Sequence, residues 1–197
     1  MLTIFVIVFI NLVGFGIIIP LLPFYGEHYG ASPDQVTALM ATYSLFQFLF
    51  APIWGYMSDR VGRKPILISS LVGTIIAYLL LAMAPNLISL FVARAIAGIM
   101  AGSISAAFAF MADITTREDR TKGMGIIGSA FGLGFIAGPA IGGFLAGGDI
   151  NNTNFQVPAY YAAGFAALAS IFSVFFLRES LPAIKRQNWQ LRFKPIQ

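Results

Sequence analysis

Long apolar stretches alternate with short polar segments along the whole chain. A helix needs about 20 predominantly apolar residues to cross a bilayer, and each stretch is close to that length. Gly, Pro, Asn and charged residues fill the segments between the stretches. The pattern therefore predicts an all-α membrane protein with six transmembrane helices, at Leu2–Tyr25, Val36–Met57, Pro65–Met83, Leu87–Ala112, Lys122–Ala146 and Val157–Leu177.

The same pattern predicts how the chain is organised. Residues 1–180 are expected to form a six-helix transmembrane bundle, and residues 181–197 a basic cytoplasmic tail or the start of an interdomain linker. The first apolar stretch has no basic segment before it and is longer than the core of a secretion signal. We therefore expect it to be a membrane helix rather than a cleaved signal.

The composition excludes several classes of function. Of the 197 residues, 58% are hydrophobic and only 10% are charged, whereas soluble domains carry about 25% charged residues. The chain has no cysteine and a single histidine, His28, so disulfides and thiolate metal sites are excluded. The spans contain no pair of carboxylates, no Ser–His pair and no cluster of metal ligands. We therefore expect no enzymatic activity, no cofactor and no metal.

The positive charges predict the orientation of the helices. Eleven of the 12 Lys and Arg residues lie in alternate loops and the tail, and one lies inside a span. Cytoplasmic loops carry an excess of Lys and Arg, so this side is expected to face the cytoplasm, with both termini cytoplasmic. Because the basic residues lie beside the membrane, the net charge of +4 indicates topology rather than nucleic-acid binding.

The basic residue inside a span is Arg94, in the fourth predicted helix. A guanidinium in the membrane interior is costly unless it faces a polar cavity or a partner, which makes Arg94 a functional candidate. Arg94, Gly98 and Gly102 share one helix face at four-residue spacing, as does Ala106. The alternative is that Arg94 snorkels to the interface or forms a purely structural pair.

Four motifs lie on the predicted spans. The segment between the second and third spans is Gly55-Tyr56-Met57-Ser58-Asp59-Arg60-Val61-Gly62-Arg63-Lys64. The fourth span carries Arg94, Gly98 and Gly102, the fifth carries Gly134, Gly138, Pro139, Gly142 and Gly143, and the first carries Gly14 followed by Pro20-Leu21-Leu22-Pro23. Together these motifs resemble those of the major facilitator superfamily, in particular the N-terminal half of bacterial tetracycline and multidrug efflux transporters.

The resemblance implies one half of a twelve-helix fold that exports small amphipathic organic molecules across the bacterial inner membrane by alternating access. It also implies a charge latch at the cytoplasmic loop, in which Asp59 accepts hydrogen bonds from Arg63 or from helix N-termini. Gly55 would allow a close helix approach and Gly62 a tight turn. The candidate latch residues are Gly55, Asp59, Arg60, Gly62, Arg63, Lys64 and Asp113. The alternative is that the basic residues only set topology.

Two further sets of residues are candidates for packing and for substrate contact. Small residues let helix backbones approach closely, so we expect a packing role for Gly98, Gly102, Gly134, Gly138, Pro139, Gly142 and Gly143. The Gly-Pro run of the fifth span also favours a bend there, and Pro20 and Pro23 favour a kink or a helix end in the first. Polar or aromatic side chains in otherwise apolar spans are candidates to line a cavity: Asn11, Tyr43, Gln47, Arg94, Ser103 and Ser105.

The chain departs from the pattern of the tetracycline antiporters in two respects, the acidic residues of its spans and its length. In that family the first and third spans each carry an acidic residue, and here the corresponding positions are Asn11 and Ala77. No Asp or Glu lies in the middle of any span. Intramembrane carboxylates are the usual proton carriers, and arginine stays protonated in proteins. Proton coupling therefore remains possible, but this half shows no group that would carry the proton.

The second departure is length, since the superfamily has twelve helices in two six-helix halves. Three accounts remain open: a piece of a longer chain, one product of a split transporter, or a half-transporter that dimerises. We expect as partners the lipid bilayer, a small organic substrate, and a second six-helix half or a second copy of the chain. The alternative function is a non-transporting six-helix domain or truncated fragment that modulates or assembles with a full-length transporter.

Overall fold

The computed structural model describes residues 1–147 and 155–181, and within these ranges all regular structure is helical. Six helical segments are long and apolar enough to cross a membrane, which confirms the predicted architecture. Numbered as spans 1 to 6, they are Leu2–His28, Pro33–Val61, Arg63–Ala82, Leu87–Ile114, Arg120–Ala146 and Gln156–Phe176. The predicted loop at Asp149–Asn154 and the predicted tail from Pro182 onward lie outside the described residues.

Side-chain caps fix where two of the spans begin. Ser32 and Gln35 form a capping box, in which each side chain bonds the other residue's backbone N–H. Span 2 therefore begins at Pro33, one turn before the predicted start at Val36. Asn86 and Ser89 form the equivalent box at the start of span 4.

Span 2 ends at Val61, and Gly62 leads directly into span 3. The φ angle of Gly62 is +118°, a conformation that residues with a side chain rarely adopt. Gly62 therefore lies at a tight turn between the two spans.

Two spans contain an interruption of the α-helix. Span 1 consists of the helices Leu2–Ile18 and Leu22–His28, joined by a 3-10 turn at Ile19–Leu21 that contains Pro20. Proline lacks a backbone donor, so it breaks the α-helical pattern without ending the span, in agreement with the predicted kink. Span 4 is divided after Ala101, and its second helix begins at Ile104. Span 5, by contrast, is continuous through Pro139.

The spans pack in a defined order around two apolar clusters. Span 1 packs against spans 5 and 6, span 3 against spans 4 and 6, and span 2 against span 4. One cluster lies toward the end that carries the loop before span 2, and the other toward the opposite end, which carries Gly62. We call the end that carries Gly62 the basic end, because its loops carry the Lys and Arg residues that indicate the cytoplasmic side. Met1 and Arg178 line the same groove there, so both ends of the described bundle lie on that side.

Glycines allow the backbones of spans 1 and 5 to touch. A Cβ added to Gly138 would lie 2.5 Å from the Cα of Gly16, and one added to Gly142 would lie 2.6 Å from the carbonyl oxygen of Ile17. Real Cβ atoms do not approach other atoms so closely. Gly134 has the same role against Leu12. These three glycines therefore lie where the backbones of spans 1 and 5 meet, and we call this contact the 1–5 seam.

An equivalent contact joins spans 2 and 4. A Cβ on Gly98 would collide with the backbone carbonyl oxygen of Tyr43, and one on Gly102 would lie 2.8 Å from the ring of Trp54. We call this contact the 2–4 seam. In lipid there is no hydrophobic force between helices, so such close packing supplies much of their association.

Two glycines differ from expectation. A Cβ on Gly55 would meet its nearest neighbour, the Ser105 hydroxyl, at 3.9 Å, which is an ordinary contact rather than a close helix approach. Gly143 is exposed, with nothing within 4 Å of an added Cβ. It follows Gly142 by one residue, and one residue turns a helix by about 100°, so Gly143 points away from the 1–5 seam.

The 1–5 seam predicts opposite effects for two alanine substitutions in span 5. Gly138→Ala should lower the free energy of unfolding by about 1–3 kcal/mol, because the added methyl group forces the backbones apart. The methyl group added by Gly143→Ala would lie in open space. This variant should leave the free energy of unfolding unchanged or raise it by up to about 1 kcal/mol, since alanine favours helix more than glycine does. Detergent-induced unfolding followed by tryptophan fluorescence measures both, and equal shifts for the two variants would contradict the seam.

Candidate functional site

A network of charged hydrogen bonds surrounds Arg63 at the basic end. Arg63 is the first residue of span 3 and is only 8% exposed. Its Nη1 lies 2.6 Å from an Asp59 carboxylate oxygen and donates to the Ser58 hydroxyl at 2.5 Å. Its Nε donates to Asp113 Oδ2 at 3.1 Å. The guanidinium therefore joins the ends of spans 2, 3 and 4, and charge-assisted bonds of this kind are the stronger ones in proteins.

Glu179 extends the network to the end of span 6. One of its carboxylate oxygens accepts from the backbone N–H of Arg63 at 2.9 Å, and the other accepts from that of Lys64 at 3.3 Å. These N–H groups belong to the first turn of span 3, where no intrahelical acceptor exists and negative charge is favoured. Ser180 donates to the same Asp113 oxygen that Arg63 uses. The segment after span 6 is thereby fixed to the loop between spans 2 and 3.

Two other basic residues of the predicted latch have different contacts. The Lys64 ammonium donates to the carbonyl oxygen of Val174 near the end of span 6, at 2.8 Å. The Arg60 guanidinium lies over the Tyr56 ring, 3.8 Å from its centroid. The structure thus brings Asp59, Arg63 and Asp113 together as the sequence suggested. Sequence reasoning missed Ser58, Glu179 and Ser180. The last two were missed because nothing in their spacing shows that the end of span 6 reaches this loop.

Arg94 lies deep within the bundle and is 4% exposed. Its guanidinium stands over the ring of Tyr43, 4.5 Å from the centroid, across the 2–4 seam. Its Nε and Nη1 are buried and have no hydrogen-bond acceptor among the described residues. Arg94 therefore neither snorkels to the surface nor forms an ion pair within the described residues.

A narrow cavity of about 50 Å³ lies between spans 1, 2, 3 and 4. A water molecule needs roughly 10–15 Å³ by this measure, so the cavity has room for only a few waters, whereas a drug-sized ligand needs roughly 300–1,000 Å³. Among the predicted cavity residues, it is lined by Asn11, Tyr43 and Ser103. Span 3 adds Ser70, Thr74 and Tyr78, which sequence reasoning missed. The hydroxyl groups of Ser70 and Thr74 each donate a hydrogen bond to a backbone carbonyl oxygen of their own helix. Hydropathy alone does not reveal these bonds.

Arg94 is not among the residues that line the cavity, and the two remaining candidates, Gln47 and Ser105, support the break in span 4 instead. The Gln47 amide donates to the carbonyl oxygen of Ala101 at 3.5 Å, and the Trp54 indole donates to that of Ile99 at 2.5 Å. Both carbonyls lie just before the break, where the regular helical pattern stops. The Ser105 hydroxyl bonds the Gly102 carbonyl on the other side of it. Gln47 and Ser105 therefore do not line the cavity, and their hydrogen-bonding capacity is used between and within helices.

Comparison with known proteins identifies the family. The model of the Major Facilitator Superfamily matches residues 4–195, so the chain belongs to this superfamily of membrane transporters. The prediction from the four motifs is confirmed. The six apolar spans and the similarity to bacterial resistance proteins show that the chain is a multi-pass protein of the bacterial inner membrane.

Two relatives of the chain are named for drug resistance. The class E tetracycline resistance protein of Escherichia coli is 40% identical over 180 residues, covering 89% of this chain and 43% of that protein. Multidrug resistance protein 2 of Bacillus subtilis (strain 168) is 34% identical over 191 residues, covering 94% of this chain and 46% of that protein. The chain therefore spans about half the length of these relatives.

A solved structure has the same fold. The human organic anion transporter MFSD10 (TETRAN) matches with a TM-score of 0.81 at 28% identity. The match covers 93% of this chain and 48% of that one. The six-span bundle is thus the fold of one half of a transporter of this superfamily.

Glu179 offers a test of the connection between spans 3 and 6. Glu179→Ala removes both acceptors of the first turn of span 3 and should lower stability by about 1 kcal/mol, as loss of a helix cap does. Hydrogen exchange at the amides of Arg63 and Lys64 should accelerate several-fold in lipid. Glu118→Ala, at an exposed acid of the loop between spans 4 and 5, should leave this exchange unchanged. Equal protection in all three proteins would show that Glu179 does not cap the helix.

Proposed function

We propose that this chain is one half of a secondary transporter that exports small amphipathic organic molecules by alternating access. It works with a second six-helix bundle, either another copy of itself or a separate half. The observation that carries the proposal is the network around Arg63, which joins the ends of four spans at one side of the membrane. Such a network can hold one side closed and release it as a unit.

The geometry of the network supports a gate rather than a static brace. The Asp59 carboxylate is 44% exposed and that of Asp113 is 26% exposed, so water reaches both acceptors of Arg63. Exposed ion pairs contribute little to stability and exchange easily with water. Breaking them therefore costs little, and a transport cycle can open and close this end. The buried part, Arg63 with Ser58, gives the closed state its fixed geometry.

The need for a second bundle rests on the cavity and on the outward faces. The cavity of about 50 Å³ is too small for a drug-sized substrate, so the substrate site requires further walls. Spans 2 and 5 bury the smallest share of their residues within the chain. Their outward sides expose large apolar residues, among them Phe48, Ile53, Ile136 and Phe144. A second bundle against these spans would enclose a larger space between the halves.

Transport rather than catalysis is the function we assign. The side chains that line the cavity are apolar, hydroxyl-bearing or amide groups, with no nucleophile–base pair among them. The similarity to proteins named for tetracycline and multidrug resistance favours small organic drug molecules as substrates. The driving ion is a separate question, because the spans of this half carry no carboxylate in their interior.

Flux measurements on everted inner-membrane vesicles test the gate. Asp59→Asn and Asp113→Asn each weaken an exposed ion pair worth at most about 1 kcal/mol and should lower tetracycline accumulation several-fold. Asp119→Asn, at an exposed acid whose partner is the neighbouring Thr116, is the matched control and should transport normally. Normal flux in the Asp59 and Asp113 variants would contradict the gate. Absence of flux in every protein, including the unmodified one, would favour a non-transporting domain.

The oligomeric state tests the need for a second bundle. We expect the chain purified alone into lipid to form dimers, because a homodimer rebuilds a twelve-helix arrangement. Mass measurement of single lipid discs gives the number of copies, and flux with and without a proton gradient on the same samples reports coupling. A chain that is strictly monomeric and yet transports would refute the proposal.

A further inference from the structure

Arg94 is a buried cation whose donors are not used. At 4% exposure it is removed from water, and its Nε and Nη1 have no acceptor among the described residues. An arginine keeps its proton inside proteins, so it cannot become neutral to relieve the cost of burial. The ring of Tyr43 stabilises the charge from one side, but a ring face does not replace hydrogen-bond acceptors for the guanidinium N–H groups. The site therefore lacks an anion.

The described residues supply no anion to Arg94. The eight acidic residues of the chain lie at the span ends or in the loops: Glu27, Asp34, Asp59, Asp113, Glu118, Asp119, Asp149 and Glu179. Arg94 lies two helical turns inside span 4, and no acidic side chain of the described residues forms an ion pair with it. A second copy would bring the same acidic residues at the same depths, so a homodimer does not pair Arg94 either. The anion must come from outside the described residues.

The surroundings of Arg94 indicate what kind of anion would fit. Tyr43 has its ring against the guanidinium and is also one of the residues that line the cavity. Phe15 stacks on the same ring, with centroids 4.8 Å apart. The Asn11 side-chain oxygen, in the same cavity wall, is buried without a donor among the described residues. A cavity with aromatic and apolar walls and one unpaired amide, next to an unpaired cation on the Tyr43 ring, suits a molecule with an apolar body and a single negative charge.

We propose that Arg94 binds the carboxylate, or an equally delocalised negative charge, of an organic anion that enters beside Tyr43. This assignment rests on the proposed transport function and narrows the substrate class from amphipathic molecules in general to organic anions. Guanidinium groups match planar, delocalised anions in shape and hydrogen bonding. A cationic drug would meet repulsion from Arg94, and the interior of the spans offers it no opposing charge.

A pair of probes that differ only in charge tests the assignment. Naphthoate and naphthamide share one ring system, and binding of each to the purified full chain in neutral phosphatidylcholine discs is measured against empty discs. We expect naphthoate to bind at least about tenfold more tightly than naphthamide, as one unshared ion pair in a buried site would produce. Equal binding of the two probes, or no binding of naphthoate above empty discs, would overturn the assignment.

Substitutions separate charge recognition from folding. Arg94→Gln should abolish the preference for naphthoate, whereas Arg94→Lys should retain part of it because the charge remains. Arg117→Gln removes an exposed arginine of the loop between spans 4 and 5 and should leave both affinities unchanged. If Arg94 has only a structural role, Arg94→Gln should weaken the binding of both probes equally or change thermal stability. The ratio of the two affinities would then stay unchanged. A naphthoate preference that persists in Arg94→Gln would refute the role of Arg94.

A carboxylate of a separate second half is the other source of the same chemistry, and flux distinguishes it. Saturable uptake of naphthoate into everted vesicles, absent in Arg94→Gln, identifies a substrate. Binding without uptake, in vesicles that do transport another compound, would overturn the substrate assignment in favour of a protein carboxylate. Charge-selective binding in vesicles that transport nothing would retain Arg94 as an anion site and reject the transport proposal instead. Transport with no preference for naphthoate over naphthamide would retain the transport proposal and reject Arg94 as an anion site.

Discussion

A guanidinium that leaves water must find acceptors, because arginine cannot lose its proton. Two arginines are buried in the part of the chain that the structure describes, and their surroundings differ. Arg63 has Ser58, Asp59 and Asp113 around it, and its backbone N–H binds Glu179. Arg94 has only the Tyr43 ring, with two nitrogens left without acceptors in the described structure. The paired arginine fixes one end of the bundle, and the unpaired one marks where a ligand is needed.

Arg94 holds its position because a glycine lets the backbones of spans 2 and 4 meet. Gly98 follows Arg94 by one helical turn and packs against the carbonyl of Tyr43, so the 2–4 seam sets the guanidinium over that ring. The break in span 4 near Gly102 exposes carbonyls that Trp54 and Gln47 bind. On the other side of the bundle, the 1–5 seam carries Asn11 and Phe15 on the helix that packs against Gly138. Packing and site geometry therefore depend on the same small residues.

Much of this could be predicted from the sequence. Hydropathy located all six spans, and loop charges together with four motifs indicated the family, because each depends on local composition. The Asp59–Arg63 pair could be predicted from i,i+4 spacing. The contribution of Glu179 could not, since it requires the end of span 6 to reach the start of span 3. Gly143 shares its motif with Gly142 but faces outward, and only the packing direction of span 5 shows this. The interruption at Gly102 depends in the same way on the neighbouring Trp54.

The contrast between the two arginines can be measured directly by nitrogen NMR of the side-chain Nε groups in lipid, assigned with Arg63→Lys and Arg94→Lys. In the free protein, the Arg63 Nε–H should show a bonded, slowly exchanging signal, and the Arg94 Nε–H should show no acceptor. Added naphthoate should shift the Arg94 signal and leave that of Arg63 unchanged. An Arg94 signal that is already bonded in the free protein, or one that does not respond while Arg63 does, would contradict this account.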